Sequence, residues 1–246
     1  SQKDKINYVY LGIRHNSKLP HVKIVDMKGE KDHLFSEQLI DAITSNLLAK
    51  KQSLLFLNRR GSASALICNT CGNSVDCPNC NISLNYHADL GKLVCHYCNF
   101  KTSPRASCQN CGGSDLRFIG DGTKKLEVEV ASRWPKARVA RIDRDNAGIE
   151  YLKSTYQDLQ SGKIDIIIGT QMINRGLDIA NLDLVGVIDA DSALHIPDFS
   201  ASERGFQLIS QAAGRAGRRK SLGQVIVQTR MKDNETILSA AAHDFH

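Results

Sequence analysis

A chain of 246 residues, 41% of them hydrophobic and 24% charged, is long enough to bury one large core or two modest ones, which excludes a disordered chain. No apolar run approaches the ~20 residues that cross a bilayer, and the opening SQKDKINYVY lacks the basic and apolar regions of a signal peptide. A reducing cytosol is therefore the expected compartment, and the formal charge of +6 hints at an anionic partner.

In chain order, apolar runs alternate with helical patterns, the mark of an α/β sheet. The first expected strand is His21 to Met27. A helix follows in which Leu39, Ile40, Ile43 and Leu47 recur at helical spacing, with Ser36 placed to cap it. Ser53 to Leu57 reads as a buried strand. After an interruption come a helix with Leu126, Val130 and Trp134 four apart, a strand at Arg138 to Ile142, and a helix carrying Ile149, Leu152, Tyr156 and Leu159. Ile164 to Ile168, Leu184 to Ile188 and Gln224 to Gln228 read as central parallel strands. Helices are expected from about Ala201 to Arg215 and from about Glu235.

The interruption, about Gly61 to Gly120, has almost no long apolar run and holds every cysteine of the chain. It reads as a small separate module leaving a β–α loop, the edge of an open sheet where functional residues gather. The expected division is 1–60, 61–120 for the insertion, and 121–246.

The cysteines form four pairs, Cys68/Cys71, Cys77/Cys80, Cys95/Cys98 and Cys108/Cys111, each with two residues between the sulfurs. That spacing lets one tight turn offer two thiolates to a tetrahedral ion, so two structural Zn²⁺ are expected. Disulfides are disfavoured by compartment, redox C-x-x-C motifs do not come as four pairs in one insertion, and separate C-x-x-C pairs suit zinc better than an iron–sulfur cluster. Five residues separate Cys71 from Cys77, few for swinging two chelating turns around one ion, while 14 separate Cys80 from Cys95. A nested arrangement follows as a hypothesis: Cys68, Cys71, Cys108 and Cys111 at one ion, and Cys77, Cys80, Cys95 and Cys98 at the other, with interleaved pairing as its rival. Eight thiolates on two Zn²⁺ would add a charge of about −4 and leave the chain nearly neutral, so nucleic-acid binding has to rest on local clusters.

His87 and His96 lie in the module and could be ligands, but with four cysteines available per ion they are expected to be solvated or to support the ligands from outside. Asn85, Tyr86, Tyr97 and Phe100 are ambiguous: exposed aromatics could stack on bases, but in so small a module they are expected to form its minimal core. Its basic residues, Lys92, Lys101, Arg105 and Arg117, are sparse.

Two further stretches carry chemistry. Gly169-Thr170-Gln171 follows a buried strand and runs on to Arg175-Gly176-Leu177-Asp178; a threonine there can meet a phosphate, Gly176 permits close backbone approach, and Asp178 can accept from a sugar hydroxyl. In Gln211-Ala-Ala-Gly214-Arg215-Ala-Gly217-Arg218, two arginines three apart on a helix end project from one side and can converge on a polyphosphate. An isolated pair of this kind reads first as a solvated basic helix terminus favoured by the dipole.

QAAGRAGR resembles motif VI of superfamily 2 helicases, and GTQMINRGLDI resembles their motif V, in the expected order. With LLFLNRRG at 54–61, RIDRD at 141–145 and the four cysteine pairs between LLFLNRRG and the next helix, the chain is similar from about residue 20 to the second motor lobe of the primosomal replication-restart helicases, the PriA family. The stretch RGLDIANLD departs from the more histidine-rich run of the best-known relatives. The resemblance implies a RecA-like lobe of mostly parallel sheet with an inserted zinc-ribbon-type module, nested zinc pairing, and a bacterial cytoplasmic protein. It implies Arg218 and Arg215 as arginine fingers on ATP, Gln211 sensing the same site, Gly176 and Asp178 bordering the nucleotide, and Thr170 on a DNA phosphate. Arg60, with Arg59, would face DNA or the cleft between lobes.

No G-x-x-x-x-G-K-[ST] phosphate loop or acidic magnesium motif occurs, so ATP and Mg²⁺ are expected only with a first motor lobe that this stretch lacks. The expected function is the second lobe and zinc module of an ATP-dependent 3′-to-5′ DNA helicase of replication restart. Expected partners are forked or single-stranded DNA, other primosome proteins and single-stranded-DNA-binding protein, with no membrane. The alternatives are a non-enzymatic zinc-dependent docking module on an α/β scaffold and, last, a chaperone-type cysteine-rich domain, whose C-x-x-C-x-G-x-G repeat the runs Cys71-Gly72-Asn73-Ser74 and Cys80-Asn81-Ile82-Ser83 break.

Overall fold

The computed structural model describes residues 20–30, 32–57, 64–87, 89–118, 122–143, 148–170, 179, 181–195, 200–216 and 223–244. In chain order the elements are β1 (His21–Asp26), α1 (Glu37–Leu48), β2 (Gln52–Phe56), β3 (Ser64–Cys68), β4 (Asn85–His87), β5 (Lys92–Val94), β6 (Lys101–Thr102), β7 (Leu116–Phe118), α2 (Thr123–Arg133), β8 (Val139–Ile142), α3 (Ile149–Gln160), β9 (Ile166–Gly169), β10 (Leu182–Val187), α4 (Asp191–Leu194), α5 (Ala201–Ala213), β11 (Gln224–Thr229) and α6 (Glu235–Ala241). The strands and helices expected from periodicity are present, their ends shifted by a residue or two.

Six strands form one parallel sheet in the order β1-β11-β10-β2-β9-β8. Side chains alternate faces along each strand, and this sorts the core into two layers. On one face Leu54, Phe56, Ile167, Val185, Val187, Val225 and Val227 pack with Leu159 of α3, Leu208 and Ile209 of α5 and Ile237 of α6. On the other, Leu55, Ile166, Ile168, Leu184 and Ile226 pack with Leu39 and Ile43 of α1 and Leu126 and Val130 of α2. Gly186 of β10 lets α1 approach closely, since a Cβ there would lie 2.9 Å from Leu39 Cδ1.

Ser36 caps α1 by accepting from the Leu39 N–H at 3.3 Å. The same end is pinned to the sheet by buried Gln228 of β11, whose Oε1 accepts from the Ser36 N–H at 2.7 Å and from the Ser36 hydroxyl at 2.9 Å, and whose Nε2 donates to the carbonyls of Leu34 and Ile188. A buried amide with four partners satisfies its hydrogen-bonding capacity in a layer that otherwise excludes water.

The chain leaves β2 at the centre of the sheet, returns through α2 to the edge strand β8, and later crosses β2 to reach β10. This reversal is where open α/β sheets place ligands, beyond the carboxyl ends of their strands. The cysteine-bearing segment departs from that point. Its five strands make a separate antiparallel sheet, β6-β5-β4-β3-β7, which the sequence pattern did not foretell because each strand has only two to five residues.

Candidate metal centres and sheet edge

Each cysteine pair is built by the same local turn. The N–H of the residue after the second cysteine donates to the carbonyl of the first: Gly72 to Cys68, Asn81 to Cys77, Asn99 to Cys95 and Gly112 to Cys108, at 2.8–2.9 Å. The N–H of the first cysteine donates one residue further on, to Asn73, Ile82, Phe100 and Gly113. Closing the turn requires positive φ at the residue after the pair, and these are 83° at Gly72, 51° at Asn81, 59° at Asn99 and 74° at Gly112. Glycine and asparagine are the residues that tolerate that region, so the readable unit is C-x-x-C-[GN].

The turns converge in two sets. Cys68, Cys71, Cys108 and Cys111 bring their sulfurs within 4.8 Å of one another, and Cys77, Cys80, Cys95 and Cys98 do the same. Sulfur separations of 3.6 Å (Cys68 to Cys111), 3.7 Å (Cys71 to Cys108) and 3.5 Å (Cys77 to Cys98) approach the edge of a zinc tetrathiolate, about 3.8 Å for Zn–S bonds of ~2.3 Å. All eight thiols are free. The two clusters fit two zinc ions, with all four positions of each filled by the chain, the closed arrangement of a structural site.

Crowded thiols without a cation cannot all ionise. In the inner set, the Phe100 N–H holds Cys98 down to about 6, while hydrogen bonds to Cys98 and burial push Cys80 up to about 12 and burial raises Cys77. In the outer set, burial pushes Cys68 up, but the Cys71 and Thr70 N–H groups and the Cys111 thiol outweigh it and lower it to about 7. The Gly113 N–H pulls Cys111 down, but its bonds to Cys71 and Cys68 and its burial raise it to about 12. At neutral pH the metal-free clusters therefore hold protons that a bound cation must expel, so metal affinity rises with pH. Zinc release to a chromophoric chelator is expected to steepen as pH falls below about 6, where Cys98 also takes up a proton. A flat profile between pH 5 and 8 would contradict this account.

Beneath the inner set lies a small core of Leu66, Val75, Leu84 and Leu93 with Tyr86 and Phe100, where Tyr86 stacks on Phe118 at 4.3 Å between ring centroids. Asn85 is buried too. Tyr97 corrects the expectation of a core role: it is 70% exposed, because the turn that aims Cys95 and Cys98 at the cluster points the residues between them outward. His96 shares that exposure, and its Nε2 lies 2.8 Å from Nε2 of His87.

The outer cluster faces the parallel sheet. The Gly72 carbonyl accepts from His195 Nε2 at 3.1 Å, and a Cβ on Gly72 would lie 3.2 Å from Arg230 Cβ. Arg117 of β7 pairs with Asp189 at 3.2 Å, and His33 lies 3.8 Å from Asp115. Arg117 is thus no free basic residue of the module but half of its joint to the sheet. Asp189 sits beside buried Asp191, which is pushed up by burial and by the Asp189 charge and accepts from the Thr229 hydroxyl and the Arg230 N–H. Arg230 is itself buried and pulled down by burial and by Arg117. Asp189→Ala leaves two neighbouring guanidiniums short of a counter-charge and is expected to cost about 3 kcal/mol in denaturant unfolding. Asp189→Ala combined with Arg117→Met should recover part of that loss, and two additive single losses would show that the pair is not coupled.

The second group of expected residues is divided. Thr170 directly follows β9 and is 5% exposed. Gln211 lies on the exposed side of α5, whose neighbours Ala212 and Ala213 face the core. Arg215 corrects the expected helix end: α5 stops at Ala213, and Arg215 and Ala216 continue as a tighter turn, donating to the carbonyls of Ala212 and Ala213. Arg215 is therefore not on a continuing helix face. Arg60, Gly176, Asp178 and Arg218, with Arg59, lie outside the described residues.

Residues 77–102 match the family model of the PriA DNA helicase Cys-rich region, and residues 120–220 match the helicase conserved C-terminal domain. The chain is 39% identical to replication restart protein PriA of Bacillus subtilis across 97% of its own length, and 40% identical to that of Treponema pallidum across 92%. This stretch of sequence belongs to the PriA family. It spans about a third of those relatives, 31% and 34% of their lengths. Among solved structures, the C-terminal domain of the DEAD-box protein Dbp5 is a weaker likeness, with a TM-score of 0.48 at 16% identity over 93% of this chain and 87% of that one. The PriA Cys-rich match covers only the inner cluster; the outer cluster, which joins the module to the sheet, falls in neither matched range. Among the described residues of this PriA-family stretch, no helix is long and apolar enough to cross a membrane.

Proposed function

We propose that the chain is the second motor lobe and zinc module of a replication-restart helicase that unwinds DNA in the 3′-to-5′ direction with ATP. The observation that carries this reading is the joining, on one chain, of a PriA-type cysteine region to a helicase C-terminal domain at the switch point of a parallel sheet. The divisions are residues 1–60, 61–120 and 121–246, with the insertion holding two Zn²⁺ through Cys68, Cys71, Cys108 and Cys111 and through Cys77, Cys80, Cys95 and Cys98.

Arg218 and Arg215 act on the γ-phosphate of a nucleotide held mainly by another lobe, where guanidiniums neutralise charge on the transferring group, and Gln211 reads the same site. Gly176 and Asp178 border that nucleotide, while Thr170 and Arg60 meet DNA. Forked or single-stranded DNA, other primosome proteins and single-stranded-DNA-binding protein are the partners, in a bacterial cytoplasm.

The test compares the isolated chain with the full-length protein. DNA-stimulated ATP hydrolysis and 3′-to-5′ unwinding are expected only from the latter. Turnover by the isolated chain would refute the division of labour, and a full-length protein without ATPase would favour a docking module on an inert scaffold.

A further inference from the structure

His87 ends β4, and His96 lies in the outward-facing part of the turn after β5. Neither belongs to a cysteine cluster, yet both are exposed or half-buried with their Nε2 atoms 2.8 Å apart and their rings edge-to-face at 5.1 Å. Two neutral imidazoles can share one hydrogen bond at that distance, but two surface side chains must give up rotamer freedom to do so, and water competes for both nitrogens. The same convergence is what two ligands of one metal ion require.

We propose that His87 and His96 form a third metal site, open to solvent, which binds a divalent transition ion through the two Nε2 atoms. With metal–nitrogen bonds of ~2.0–2.1 Å, ligands at a right angle lie about 2.9 Å apart and tetrahedral ligands about 3.4 Å apart. The observed 2.8 Å fits the right angle, the geometry of neighbouring positions on octahedral, paramagnetic Ni²⁺ or tetragonal Cu²⁺. Asp89 Oδ1 lies 3.9 Å from the other nitrogen of His87, beyond a direct hydrogen bond but close enough to place a negative charge beside the site.

The surrounding charge favours a cation. His96 is bracketed by Cys95 and Cys98, and a zinc tetrathiolate carries a net charge of about −2. Lys92, opposite His87 on β5, adds one positive charge, while Asp89 adds one negative. Among the described residues only these two imidazoles converge there, so two or more positions remain for water or an incoming oxygen ligand, in contrast to the closed cysteine sites.

The test uses the full-length protein without an affinity tag, loaded with zinc and titrated with Ni²⁺, with nickel and zinc both counted by elemental analysis after desalting. One nickel is expected in addition to two zincs. His87→Gln, outside every cysteine turn, should weaken nickel binding at least tenfold with zinc unchanged, and His96→Gln should do the same. Resonances of the two rings should broaden first as the paramagnetic ion is added. Nickel uptake that persists in the His87→Gln/His96→Gln protein, or uptake matched by loss of zinc, would overturn the proposal by assigning the metal to other histidines or to the cysteines.

Discussion

Cys68→Ser is expected to lower bound zinc from two equivalents to one and to release the module from the parallel sheet. The contacts that dock the module, from Gly72, Asp115 and Arg117, are all carried by the outer cysteine turns or by β7, which pairs with β3. Structural zinc contributes on the order of 10 kcal/mol to small metal-dependent domains, and the apolar core here is too small to replace it. Amide protection across 64–75 and 108–118 should collapse. The two layers flanking the parallel sheet contain no residue of the module, so protection in β2, β9, β10 and β11 should persist. Cys95→Ser is the contrasting variant. It removes the inner ion and should leave the Gly72 to His195 and Arg117 to Asp189 contacts in place. If either single variant emptied both clusters, the module would be one cooperative unit and the separate role of the outer ion would be lost.

Arg218→Ala in the full-length protein is expected to reduce ATP turnover about 10³-fold, the lower end of what an arginine finger contributes. Zinc content should stay at two and DNA affinity within a few-fold. Arg218→Lys should restore little, because a point charge on a flexible stem does not reproduce a planar fork on phosphate oxygens. Arg215→Ala provides an internal comparison, since its residue lies in the tight turn after α5 and not on the helix. A loss below tenfold in Arg218→Ala would remove it from the nucleotide site; a parallel loss of zinc or of folding would assign it a structural part.

Much of this could be read from local pattern. The unbroken apolar run Leu54 to Leu57 marks a strand covered on both faces, and the structure divides it between two layers. Ser36 ahead of α1 is a cap by residue type and by geometry. The repeated Gly or Asn after each cysteine pair stands in the same local pattern, but its meaning, a demand for positive φ, emerged only with the turn geometry. The sheet of the module was not legible, because strands of two to five residues leave too little periodicity to detect. Nor was the exposure of Tyr97: an aromatic in a small module reads as core until the chelating turn is known to point it away.

The chelating turns and the parallel strands are thus written in neighbouring residues, because a turn closes within six positions and a buried strand needs only its own apolar run. The joint between the outer cluster and the sheet is of another kind. Gly72 meets His195 across 123 residues of chain and Arg117 meets Asp189 across 72, and in the primary structure each is an ordinary glycine, histidine or ion-pairing side chain. Their role arises when folding brings β7 against the carboxyl ends of β10 and β11, since Coulomb and packing energies depend on distance in space and not along the chain. The meeting of His87 with His96 has the same origin.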